Sequence, residues 1–253
     1  MMKTAWRMEC YEFLNLPPPE QENPTFNLIL PGSHCTNCNT AIKPYHNIPI
    51  LSFLLLRGRC AQCKMIISYR YPIVEFVTGL ISVIIAMQFG FSTETLFALV
   101  LSWGLIVLSL IDFDHQLLPD SITIPLLWLG LLISLWGVFS DTQSCLIGAV
   151  AGYLSLWMVY QVFKLCTGKE GMGFGDFKLL AMLGAWLGWQ MLPIIVLLSS
   201  LVGAVVGISM IVFLKRDRAI PIPFGPYLAG AGWLSLLWGE DIMKYYLNYV
   251  GLA

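Results

Sequence analysis

The chain has 253 residues, 57% of them hydrophobic, with a mean hydropathy of +0.74 and only 11% charged. A soluble fold of this size carries about a quarter charged residues, so the composition excludes an ordinary soluble protein and points to a polytopic membrane protein. The net charge of −1 argues against nucleic acid as a main partner, and seven cysteines, four of them in paired spacings, argue against a secreted disulfide scaffold.

Residues 1–70 are polar in texture. They hold seven Lys/Arg against four Glu and half of the chain's prolines, which reads as a small module at the amino end. Asn15-Leu16-Pro17-Pro18-Pro19-Glu20 is expected to be a stiff polyproline-like connector, and 1–16 contain no apolar run of signal-peptide length. From Pro72 onward the texture inverts, so the expected division is 1–70 as a cytoplasmic module and 71–253 as a transmembrane domain.

Hydrophobic runs fall at 73–89, 95–113, 121–139, 144–163, 177–191, 193–214 and 220–238. A helix rising ~1.5 Å per residue needs about 20 residues to cross ~30 Å of hydrocarbon, and lipid satisfies no open backbone, so about seven transmembrane helices are predicted. The uncharged stretch Leu179 to Leu214 is 36 residues, barely two crossings, so a break at Gln190 and Pro193 with one short or tilted helix is expected. With 1–70 on one side of the bilayer, thirteen of the fourteen Lys/Arg fall on or next to that side, including Lys164, Lys169, Lys178, Lys215, Arg216 and Arg218, and only Lys244 falls opposite. The basic side is the cytoplasm by the positive-inside rule.

Cys35-x-x-Cys38 and Cys60-x-x-Cys63 are separated by 21 residues, close to the spacing of zinc ribbons and knuckles. Four thiolates close a tetrahedral structural site with no open position for chemistry. In so small a module the metal is expected to supply much of the folding energy. The alternative, a pair of disulfides, is weak in a reducing cytoplasm. His34 and His46 read as surface histidines that are also able to substitute as ligands, and Cys10, Cys145 and Cys166 have no partner spacing.

Asp112 terminates the second apolar run and Asp176 opens the fifth, 64 residues later, both at the cytoplasmic end of their helices. Carboxylates at the border of hydrocarbon are costly and usually functional. Two of them within a few ångströms share a proton, so one deprotonates water while the other donates to a carbonyl oxygen, as in aspartic proteases. Gly171-Met172-Gly173-Phe174-Gly175 alternates glycine with bulk before Asp176, which lets an extended substrate backbone approach closely. Alone, Asp176 reads as a helix cap. Paired with Asp112, it reads as catalytic.

The neighbouring polar residues divide differently. Asp120, after Pro119, is expected as an N-cap, and Asp114 as a solvated reserve. Glu75, inside or just at the membrane surface, reads either as lining the site or as pairing with a cation; with Gly173, Gly175 and Lys178 it makes up the residues expected to line the substrate. Pro221-Ile222-Pro223-Phe224-Gly225-Pro226 cannot be regular helix throughout and reads either as a wall of the active site or as the start of the last helix.

Together, the double Cys-x-x-Cys module, Tyr71-Pro72-Ile73-Val74-Glu75, Ile111-Asp112 with Leu117-Leu118-Pro119-Asp120, Gly173-Phe174-Gly175-Asp176-Phe177-Lys178 and Pro223-Phe224-Gly225-Pro226 resemble the bacterial type IV prepilin peptidases. These are Gly-x-Gly-Asp membrane aspartic proteases. The resemblance implies an inner-membrane enzyme that removes the short basic leader of prepilins and type II secretion pseudopilins after a glycine at the cytoplasmic face. It then implies methylation of the new amino terminus with S-adenosylmethionine. It also assigns catalysis to Asp112 and Asp176 and zinc to Cys35, Cys38, Cys60 and Cys63. Members of that family usually begin with a further membrane helix ending in an Asn-Val-x-Ile-x-Arg-Leu-Pro-like stretch. This sequence starts downstream of it, at Met1-Met2-Lys3, which leaves seven spans in place of eight and reads as a truncated start or one set at an internal methionine. No glycine-rich nucleotide signature marks a methyl-donor site. The rival readings are an ion- or metal-coupled transporter, which wants polar groups at mid-membrane rather than at one surface, and a non-catalytic assembly protein docking through its zinc module.

Overall fold

The computed structural model describes residues 13–14, 33–46, 48–168, 171–214 and 222–251. The connector at 15–20, Cys10, Lys169, Lys215, Arg216, Arg218 and Pro221 lie outside them. The chain divides into two compact units, residues 1–79 and 80–253.

Among the described residues the first unit is built on two turns. In the first, the Cys35 N–H donates to the Thr40 carbonyl (3.0 Å), Asn39 N–H to Cys35 O (2.9 Å) and Ile42 N–H to Ser33 O (2.8 Å), with a bridge between His34 and Ala41. The second repeats every one of these bonds 25 residues later: Cys60 to Met65 (2.9 Å), Lys64 to Cys60 (3.1 Å), Ile67 to Gly58 (2.8 Å), and a bridge between Arg59 and Ile66. The residue after the second cysteine takes a left-handed backbone in both, Asn39 at φ 52° and Lys64 at φ 58°. Between the turns lie a 3-10 turn, Pro44–His46, and a short helix α1, Leu51–Leu55.

Helix α2, Arg70–Phe89, runs across the boundary between the units. The second unit continues with α3 (Thr93–His115), α4 (Asp120–Ser134), α5 (Thr142–Thr167), α6 (Phe174–Leu187), α7 (Leu192–Leu214) and α8 (Gly225–Val250). Each apolar run read from the sequence carries one helix. Side-chain caps begin two of them: the Ser92 hydroxyl accepts from Thr95 N–H (3.3 Å) at α3, and Asp141 accepts from Ser144 N–H (2.9 Å) at α5.

Helices α2, α3 and α5 and the stretch Trp189–Phe213 are long and apolar enough to cross a membrane. Helices α4, with 15 residues, and α6, with 14, are shorter than the ~20 residues a crossing takes. The uncharged stretch breaks at Gly188 (φ 82°), passes through a 3-10 turn at Trp189–Met191 and resumes at Leu192, with Pro193 in the first turn. The last helix continues through Glu240, Asp241 and Lys244 to Val250, well past the apolar run that ends at 238. There Lys244 meets Glu240 one turn back at 3.4 Å.

Short α6 is the centre of the second unit. Asp176, Phe177 and every residue from Leu179 to Leu187 are buried, and α6 packs against α4, α5 and α8. The α5 contact is close because both backbones are bare. A β-carbon on Gly184 would run into the Gly148 carbonyl, and one on Gly152 would lie 2.7 Å from the carbonyl of Leu180. On the α4 side the buried Trp186 indole lies over Gly130 and donates its N–H to the Leu126 carbonyl at 2.7 Å. That bond gives the indole nitrogen the partner it needs in an apolar interior.

Candidate functional site

Asp112 stands three residues before the end of α3, whose C-cap Gln116 takes a left-handed backbone (φ 53°) and returns its N–H to the Asp112 carbonyl at 2.8 Å. Asp176 stands in the first turn of α6. Gly173 occupies the N-cap with no side-chain capping bond, so Asp176 is not the cap that it would be on its own. Both carboxylates are buried, at 5% and 8% exposure, and Asp112 is near enough to Asp176 for the two to interact electrostatically.

A third segment completes this neighbourhood. The backbone N–H of Gly225, the first residue of α8, donates to Asp112 Oδ2 at 2.9 Å. The first N–H groups of a helix have no partner within it and form a natural seat for an anion. Pro226, which follows, has no N–H to offer. A β-carbon at position 225 would lie 2.6 Å from Asp112 Oδ2, so any larger residue there displaces the carboxylate. The Pro-Phe-Gly-Pro stretch is thus both the start of a helix and a wall of the aspartate site.

Leu118 locks the arrangement. It is buried, and a β-carbon on Gly175 would meet its Cβ at 2.8 Å, while one on Gly225 would meet its Cδ2 at 3.3 Å. Gly175 is therefore filled from within the protein by Leu118. Gly173 has no heavy atom within 4 Å of the space a β-carbon would take.

Lys178 extends from α6 to Asp120, its Nζ 2.7 and 2.6 Å from the two carboxylate oxygens. Asp120 does not cap α4: Pro119 is the N-cap, without a side-chain bond, and Asp120 is the first helical residue. With Lys178 in reach its carboxylate spans to α6 instead of folding back. Glu75 belongs to the first unit, where its Oε2 accepts the N–H of Ile50 at 2.8 Å and anchors the start of α1 on α2. Neither the Gly225 bond nor the Glu75 and Asp120 pairings were foreseen from sequence. The glycine between two prolines was the one available sign.

In the first unit the Sγ atoms of Cys35, Cys38, Cys60 and Cys63 all lie within 4.8 Å of one another, and Cys35 and Cys63 are 3.8 Å apart. Zn–S bonds of ~2.3 Å in tetrahedral array place sulfurs about 3.8 Å apart, so the quartet fits a zinc ion. The Thr40 hydroxyl and then its backbone N–H hold the Cys38 thiol down at about 6, and the backbone N–H groups of Cys63 and Gln62 lower Cys60. Both effects favour the thiolate, the form that binds metal. The cluster is complete without His34 or His46.

The fold and the site define a multi-pass helical membrane protein with two buried carboxyls at helix ends and a four-cysteine cluster able to hold a metal. Residues 99–208 match the type IV leader peptidase family, and residues 10–89 match the bacterial peptidase A24 N-terminal domain. The chain is 55% identical to a prepilin leader peptidase/N-methyltransferase of Stutzerimonas stutzeri, over 100% of this chain and 87% of the relative. It is 54% identical to that of Pseudomonas aeruginosa (99% and 86%) and 50% identical to that of Neisseria gonorrhoeae (96% and 84%). No solved structure matches. The chain belongs to the type IV leader peptidase family.

Proposed function

We propose that this chain cuts the leader from type IV prepilins and type II secretion pseudopilins with Asp112 and Asp176, then methylates the exposed amino group. The observation that supports the reading is that these two buried carboxyls lie within electrostatic reach of each other, with Asp112 held on the Gly225 N–H. Two acids so close share one proton. The ionised member removes a proton from water, whose oxygen attacks the scissile carbonyl carbon. The protonated member gives its proton to the carbonyl oxygen. Collapse of the tetrahedral adduct breaks the C–N bond, and a proton passes to the leaving nitrogen. Asp112, tethered by Gly225, keeps its orientation through the cycle, and the open side of Gly173 leaves room for an extended substrate strand.

Methyl transfer rests on the names of the relatives. S-adenosylmethionine supplies the electrophilic methyl group, and the new amino nitrogen accepts it. Zinc in the cysteine quartet is structural, since four thiolates leave no position for substrate. The same reading gives seven membrane helices, the short α4 and α6 among them, with the aspartates at the cytoplasmic face of the inner membrane, the side that the basic residues favour.

The test is leader removal from a purified prepilin in detergent. Asp112→Asn and Asp176→Asn are each expected to lower cleavage at least about a thousandfold, because a dyad works as a unit, while the protein stays folded with its zinc. Cleavage retained by both variants would reject the assignment. Mass spectrometry of the product with methyl donor present separates leader loss from the added methyl group.

A further inference from the structure

Helix α1 presents an apolar face that none of the described residues of its own unit covers. Leu51, Leu54 and Leu55, at helical spacing i, i+3 and i+4, are 50%, 65% and 73% exposed, and the helix buries no residue at all. Its position is set at both ends. The N–H of Ile50 is held by Glu75 at 2.8 Å, and Phe53 packs edge-on against Tyr69 with ring centres 5.5 Å apart. Glu75 is in the second turn of α2, about 7.5 Å along the axis from Arg70. Helix α2 is itself long and apolar enough to cross a membrane, and Ile85 is its one buried residue. The leucines of α1 are therefore held beside the first two turns of α2.

Apart from Glu75, which Ile50 holds, the charges of this segment are of one sign. Lys43, Arg57, Arg59, Lys64 and Arg70 are all exposed, and no Asp or Glu occurs anywhere in 33–70. Four thiolates around a dication subtract two charges from these five, so the module stays basic. We propose that this surface docks on the anionic phospholipid headgroups of the leaflet in which α2 begins, with Leu51, Leu54 and Leu55 in the upper acyl region and the basic side chains on the phosphates. The anchorage to α2 selects lipid over a soluble protein partner, because any partner at that depth competes with the headgroups themselves.

The test uses the full chain in nanodiscs with a benzophenone amino acid at position 55 and, in a second preparation, at position 62, on the tip of the second cysteine turn. Irradiation followed by mass spectrometry identifies what each probe attacks. Lipid adducts are expected at 55 and not at 62, rising at least about fivefold when phosphatidylglycerol is added to phosphatidylcholine and falling by a similar factor in Arg57→Glu/Arg59→Glu. Zinc content per chain reports that the module is intact. If that variant loses zinc, Lys43→Glu/Lys64→Glu removes the same charge from other edges. Adducts at 55 to protein, hydrated probe alone, or equal lipid labelling at both positions would overturn the docking. Labelling indifferent to phosphatidylglycerol would overturn the choice of anionic lipid.

Discussion

The backbone N–H of Gly225 reaches Oδ2 of Asp112 at 2.9 Å across 113 residues of chain, joining the start of the last helix to the end of the second apolar run. The contact ties the placement of one acid to the fold of the far end of the protein.

Gly225→Ala follows directly from that geometry. Its β-carbon would stand 2.6 Å from the carboxylate oxygen, and the side chain must swing away. Leader cleavage is expected to fall on the order of a hundredfold in kcat, with the melting temperature and zinc content little changed. Steady-state kinetics beside a thermal melt check this; a large loss of folded protein would mean that the glycine serves packing rather than orientation.

The two glycines before Asp176 should separate. Gly175→Ala collides with Leu118 at 2.8 Å, so it is expected to impair cleavage, and Leu118→Ala in the same chain should restore part of it. Gly173→Ala meets none of the described residues and should leave the fold intact. If it raises KM for prepilin, the lost space is substrate space; unchanged KM and kcat would show that the substrate strand runs elsewhere.

Zinc retention should depend on pH through Cys38. A thiol lowered to about 6 in the folded module favours that fold fully above its ordinary value of 9.0, and the advantage is lost as pH falls through about 6. Zinc release, followed with a colorimetric chelator, is expected to set in near that pH. Thr40→Val removes the hydroxyl that contributes most to the lowering, so release should begin at higher pH. An unmoved release curve would show that Thr40 does not tune the site.

The Asp120–Lys178 pair lies partly in solvent, with side chains 58% and 31% exposed, and is worth no more than about 1 kcal/mol. Lys178→Met is expected to lower the melting temperature by only a few degrees and to keep most cleavage activity. Loss of activity that the reversed pair Asp120→Lys/Lys178→Asp recovers would give the bridge a positioning role.

What was legible in the sequence is what local pattern encodes. Apolar runs announced the helices α2 to α8, four of the stretches long and apolar enough to cross a membrane, and the break before Leu192 followed from the excess length of one run. Four cysteines at knuckle spacing pointed to a cluster that the fold assembles, and Asp112 and Asp176 at helix ends to two carboxyls that it buries. Long-range partners left no such trace. Which cation Asp120 finds, which N–H Glu75 accepts and which glycine seats Asp112 depend on packing that no window of neighbouring residues contains. The end of α8 was missed for a related reason: Glu240, Asp241 and Lys244 end the apolar signal, while the helix continues with an ion pair one turn apart. The 25-residue echo between the cysteine turns is carried by backbone bonds, and beyond the cysteines and the closing Ile42 and Ile67 the residue types differ.

Helix α6 has neighbours on every side and hardly any surface of its own. Lipids of different acyl length tilt or stretch the helices that they touch, but they have almost no purchase on a segment wrapped by protein. The outer helices can adjust to a thinner or thicker bilayer while Asp176 is insulated from that adjustment.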